Sequence, residues 1–224
     1  AFGPDEIRRE KPLNQANLKS ALDESSRYNN AFLGFFLLFL LYVLVTVASI
    51  GDRNLLLPDS QVRLPLLAIE LPVLGFFIFT PVMIAIFHLN LLLNLVQHTK
   101  RIVRWNSQPG NSAPTYLPPF LVNLLVEVQP APLMHYLVAT PAWIAGYFLP
   151  ICLLVAIQIR FSAYHNWPIT FSHFLVVMLD MFAIVLYWHR ITASQEGGIM
   201  DDRFGAVMKF HVQNGICWPL GLVL

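Results

Sequence analysis

Residues 31–50 read AFLGFFLLFLLYVLVTVASI, twenty positions without a single charge. As an α-helix this run is about 30 Å long, the thickness of a bilayer's hydrocarbon core. Its polar and small side chains are few. Tyr42, Thr46 and Ser49 follow an i, i+4, i+7 stripe that Leu38 and Gly34 extend toward the N-terminus. Small residues and hydroxyls are what helices use to approach one another in lipid, so this stripe is expected to be a packing face.

Three further runs repeat the pattern. Residues 72–97 form a second apolar span with Pro81 inside it, which removes one backbone hydrogen bond and is expected to kink the helix. Residues 134–158 form a third, containing Pro141, Pro150 and the pair Ala142 and Gly146, suited to close helix contact. Residues 168–189 form the fourth, opened by Pro168, a favoured first-turn residue. Hydrophobic residues make up 56% of the 224 and charged residues only 12%. A water-soluble fold has too few charges at that ratio to cover its surface, whereas a bilayer removes the need. The expected fold is all-α: an integral membrane four-helix bundle with an N-terminal cytoplasmic arm and interfacial segments. The expected organisation is a polar arm over 1–30, a transmembrane domain over 31–193, and a cytoplasmic tail over 194–224 with an apolar end.

The connecting segments are read from their breakers. Residues 13–28 carry only a weak apolar stripe and read as a solvated or interfacial helix. The polar residues 1–30 ahead of the first apolar run do not have the form of a cleavable signal. Gly51 and Asp52 end the first span. Pro58, Asp59 and Ser60 mark a turn between two short apolar runs, which predicts a small hairpin or lid at the membrane surface. Asn106 to Pro119 is a turn-rich linker, and residues 120–128 (FLVNLLVEV) are too short to span, so they are expected in the interface. Residues 159–167 (IRFSAYHNW) read as a tight polar turn. Cys152 and Cys217 set no disulfide framework, and Cys152 reads as a small buried hydrophobe.

Lysine and arginine sort by segment. Eleven lie in the arm, the middle loop (Lys100, Arg101, Arg104) and the tail, and three in the other two loops (Arg53, Arg63, Arg160). The positive-inside rule then places both termini and the middle loop in the cytoplasm of a multi-pass cell-membrane protein.

Two runs carry a resemblance. GDRNLLLPDSQVRLPLLAIELPVLGFFIFTPVMIAIFHLNLLLNL (51–95) and QIRFSAYHNWPITFSHFLVVMLDMFAIVLYWHR (158–190) together cover about a third of the chain. They resemble the membrane region found ahead of the repeats in some bacterial pentapeptide-repeat proteins. The chain departs from that pattern in having no run of five-residue A-D/N-L-x-x repeats, and the resemblance carries no activity over to particular residues. It implies a bacterial source.

Asp180 is the most informative single residue. An acid at the middle of a span costs roughly 2.5–3.5 kcal/mol on insertion scales and needs a partner. His88 is the natural one: measured from the outer face, Asp180 lies at roughly 18 Å and His88 at roughly 24 Å, within side-chain reach on neighbouring helices. The pair reads either as a hydrogen bond pinning two helices or as a proton or cation relay. His173, at about 8 Å, is too far from His88 for a bis-histidine haem, while a pigment on one histidine stays open and the cofactor is unknown. His165 and His173 lack metal-ligand spacing, so no metal site is expected. Glu70 reads as an interfacial acid facing water. No nucleophile, phosphate loop or catalytic residue stands out, so no enzyme is expected. A net charge of +1 without a basic stripe disfavours nucleic acid. Two functions follow: a structural or anchoring subunit whose partners are the lipid bilayer and other membrane chains, or a small transporter or ion-conducting protein using Asp180 and His88.

Overall fold

The computed structural model describes residues 4–51, 61–63, 70–107, 121–126, 140–162 and 164–195. In chain order the elements are α1 (Pro4–Ser49), β1 (Gln61–Arg63), β2 (Glu70–Pro72), α2 (Val73–Asn106), α3 (Leu121–Val126), α4 (Thr140–Ser162) and α5 (Trp167–Gln195). The fold is all-α apart from one hairpin. Gln15–Ser49, Val73–Asn106, Thr140–Ser162 and Trp167–Arg190 are each long and apolar enough to cross a membrane. The turn at Pro58, the linker over 108–119, residues 134–139 of the expected third span, and the tail from 196 with Cys217 lie outside the described residues.

α2 is the centre of the bundle. It packs on α1, α4 and α5, while α4 closes against α5 and α1. The buried line along α1 runs Leu33, Phe36, Leu40, Val43, Val47 and, one residue past its end, Ile50, alternating steps of three and four. That is the spacing that keeps one stripe of a 3.6-residue helix facing a neighbour. Phe77 and Phe161 fill the space between α2 and α4, with ring centroids 5.2 Å apart.

Several boundaries differ from expectation. The first apolar run is not a separate helix: α1 continues unbroken from Pro4, because nothing between Leu13 and Ala31 interrupts it. The preceding segment, read as a solvated or interfacial helix, has a buried side. Leu22, Ser25, Ser26 and Asn29 are buried, and Leu22 packs on Trp105 at the far end of α2. Residues 121–126, expected in the interface, form a short helix that leaves Leu121 exposed and Leu124 half-buried. Val122, Asn123, Leu125 and Val126 are all buried, against α1 and α2. α4 runs to Ser162, so the turn before α5 is confined to the residues between Ser162 and Trp167. There His165 takes the left-handed conformation (φ 53°), one that histidine tolerates better than most residues. Cys152 faces outward and is exposed, not buried.

A hairpin is present, but not the expected one: residues 61–63 pair with 70–72 in antiparallel register Gln61↔Pro72, Val62↔Leu71 and Arg63↔Glu70, so both strands follow the turn expected at Pro58, and Glu70 is exposed. α1 ends as expected ahead of Gly51. Its last carbonyls need donors, and Arg160 of α4 donates from Nη2 to the carbonyl of Ile50.

Candidate functional site

Two prolines prepare the bundle's interior polar sites. A proline in a helix has no N–H for the carbonyl four residues before it. Pro81 in α2 therefore leaves the carbonyl of Phe77 without its usual donor, and Pro150 in α4 does the same for Gly146. Each orphaned carbonyl faces a histidine. Nε2 of His173 lies 2.8 Å from the oxygen of Phe77, and Nε2 of His88 lies 3.1 Å from the oxygen of Gly146. Around Gly146 the helix widens into a π-helical turn, Ile144–Phe148, with the N–H of Leu149 reaching the carbonyl of Ile144. The wider turn accommodates the Pro150 ring, which would clash with the Gly146 carbonyl in a regular helix.

His88 is fully buried on α2, stacked on Phe36 of α1 with centroids 5.9 Å apart. Its Nδ1 lies 2.9 Å from both carboxylate oxygens of Asp180 on α5. One imidazole thus joins three helices: α2 carries it, α5 supplies the carboxyl group and α4 supplies the carbonyl. The donor inventory fixes one of its hydrogens. A carbonyl can only accept, so Nε2 carries hydrogen. Between Nδ1 and the carboxyl group there is room for one more proton. Whichever side holds it, the pair has no net charge, the condition for burying an acid where water is excluded. Among the described residues Asp180 is the only buried acid.

The six residues expected to pack helices do not act together. Ala142 and Gly146 are buried; a Cβ on Gly146 would stand 2.9 Å from Cδ2 of Leu125, so its contact is the short helix α3. Thr46 is buried and Tyr42 half-buried, but Gly34 and Ser49 are exposed, and a Cβ on Gly34 would meet nothing within 4 Å. The expected stripe is corrected for a geometric reason. Steps of four residues drift along a 3.6-residue helix, so Gly34 and Thr46 point roughly 120° apart. The hydroxyls turn inward on α1 itself: Thr46 donates to the Tyr42 carbonyl and Ser49 to that of Thr46, rather than across helices.

A second polar group, not singled out from the sequence, lies where α1, α2 and α3 meet. Asn29 Nδ2 donates to Ser25 Oγ (3.4 Å), and Ser25 Oγ lies 3.1 Å from Nδ1 of His98. His98 Nε2 and Ser26 Oγ both donate to Oδ1 of Asn123, at 2.9 and 3.0 Å. Every hydrogen bond in this chain has a consistent direction if His98 is neutral with hydrogen on Nε2. The serines and Asn29 at i, i+1 and i+4 do mark one face of a helix, but their partners lie far along the chain.

Among the described residues no three histidine, cysteine, aspartate or glutamate side chains gather to hold a metal ion. Comparison with protein-family profiles, with curated proteins and with solved structures gives no match.

Proposed function

We propose that the chain is a multi-pass membrane protein whose bundle acts as a structural or anchoring subunit of a larger membrane assembly. Four helices of sufficient length and apolarity support the membrane reading. So does the outward surface, where Leu38, Phe79, Phe148 and Leu179 are each more than 60% exposed. In water such a surface would aggregate, whereas against acyl chains or apolar partner helices it is at home. The lysine and arginine distribution puts the termini in the cytoplasm.

The observation that carries the structural role is the closure of the Asp180–His88–Gly146 group. A conduction path needs polar groups that exchange their ligand with water on both sides. Here the one buried acid of the described bundle has its carboxyl on His88, the imidazole has its second nitrogen on a carbonyl, and both side chains are almost wholly inaccessible. Such a group holds helices together. Interhelical hydrogen bonds matter more to assembly in lipid than in water-soluble folds, since burial of apolar side chains gives helices little reason to associate there.

The test is extraction from native membranes. Retention in the pellet after alkaline carbonate, followed by co-migration with at least one other protein chain in mild detergent, is the expected result. Release by carbonate would overturn the membrane reading. Purification as a lone chain that moves protons or cations would favour the transporter instead.

A further inference from the structure

Beside the His98 chain, α1 and α2 part to leave a cavity of about 320 Å³. Its walls carry Glu24, Tyr28 and Asn29 from α1, and Asn94, Gln97 and Arg101 from α2. Glu24 and Arg101 are opposite charges on one cavity, yet neither forms a salt bridge or hydrogen bond with another described residue. The space between them is left open. Asn29 is 2% exposed, its Nδ2 is on Ser25, and its Oδ1 has no hydrogen-bond partner. About two turns beyond the cavity the helices meet: Phe87 of α2 packs on Phe35 and Phe39 of α1 edge to face, at 5.9 and 5.1 Å. Phe35 stays 55% exposed on the outer surface.

We infer that this cavity binds a phosphoethanolamine group, a phosphate ester carrying a primary ammonium. The arginine offers the forked donor that phosphate oxygens accept. The Glu24 carboxylate suits an ammonium, which has three donors and no acceptor. Asn94, Gln97 and Tyr28 supply neutral hydrogen bonds between the two ends. The height fits a lipid headgroup. The cavity lies on residues 24–29 and 94–101, where the charges of both helices stop: none follows Arg27 on α1 and none precedes Lys100 on α2. A headgroup bound there would sit at the edge of the hydrocarbon, its acyl chains passing across the exposed ring of Phe35. The inference rests on the membrane-spanning reading above, which carbonate extraction tests separately.

The experiment is native mass spectrometry of the detergent-purified chain, with phosphatidylethanolamine, phosphatidylcholine and phosphatidylglycerol offered at equal concentration. Phosphatidylethanolamine is expected to be retained over both others, because choline's quaternary nitrogen donates no hydrogen bond and glycerol carries no charge for Glu24. Arg101→Gln is expected to lower retention about tenfold, the loss of one charge-assisted contact. Glu24→Gln is expected to remove the preference over phosphatidylglycerol while phosphate binding persists. Thermal unfolding of each variant checks that it remains folded. Soluble phosphoethanolamine distinguishes the sources: displacement of the lipid assigns the site to the free compound, and failure to displace it assigns the site to a membrane lipid. Equal retention of the three lipids by the wild type, or undiminished retention by folded Arg101→Gln, would overturn the proposal.

Discussion

Nε2 of His173 lies 2.8 Å from the carbonyl oxygen of Phe77, the carbonyl that Pro81 leaves without an α-helical donor. His88 and the Gly146 carbonyl repeat the arrangement ahead of Pro150. In each case a proline opens one hydrogen bond of its own helix, and a histidine on another helix closes it. The prolines are thereby part of the adhesion between helices.

This arrangement has a thermodynamic signature. His173→Phe is expected to destabilise the wild type by about 1–2 kcal/mol, by leaving a buried carbonyl unpaired. In a Pro81→Ala background the helix supplies its own donor, so the same substitution is expected to cost much less. Unfolding of the four proteins in detergent, read as a double-mutant cycle, measures the difference. Equal costs in both backgrounds would mean that proline and histidine are not coupled.

Gly146 is limited by Leu125, whose Cδ2 would stand 2.9 Å from a new Cβ. That atom is the far end of a flexible side chain and can move a little. Gly146→Ala is therefore expected to be tolerated, while Gly146→Leu, which needs the space of the whole leucine, is expected to cost about 1–3 kcal/mol. Thermal stability in detergent ranks the two variants. The opposite order would remove the contact with α3 from the account.

Orientation is open to labelling. Ser107, exposed at the end of α2, is expected on the cytoplasmic side. In a protein lacking Cys152 and Cys217, Ser107→Cys is expected to react with an impermeant maleimide only after cells are permeabilised. Reaction in sealed cells would invert the topology.

What the sequence disclosed follows from how far each signal reaches. The charge-free run after Asn30 marks a helix by itself, because length and apolarity are local. Asp180 and His88 were legible as a pair because burying an acid demands a partner and depth can be counted along a helix. Gly146 as the third member was not, since its contribution is a backbone oxygen freed by Pro150, and sequence names only side chains. The burial of Ser25, Ser26 and Asn29 was equally hidden. They are polar, and His98 and Asn123, which justify burying them, lie on other elements. Gly34 misled because a four-residue step imitates a helix face over one turn and leaves it over three.

Substitutions of Asp180 separate hydrogen bonding from charge. An amide in its place can still donate to Nδ1 of a neutral His88 whose Nε2 stays on Gly146. Asp180→Leu leaves Nδ1 buried and unpaired, and is expected to cost about 1–3 kcal/mol, with Asp180→Asn costing a fraction of that. Chemical denaturation in detergent compares them, and equal losses would mean that the ionised carboxylate itself is required.

The most direct test of the closed, structural reading of Asp180 and His88 is ion movement. Wild-type protein and Asp180→Asn, each verified as folded, are reconstituted into liposomes holding a pH-sensitive dye, with a potential imposed across the membrane. The account predicts that both leak protons no faster than empty liposomes, and the same for monovalent cations followed with an ion-sensitive dye. A wild-type flux above the lipid background that disappears in Asp180→Asn would contradict it and make the pair a relay.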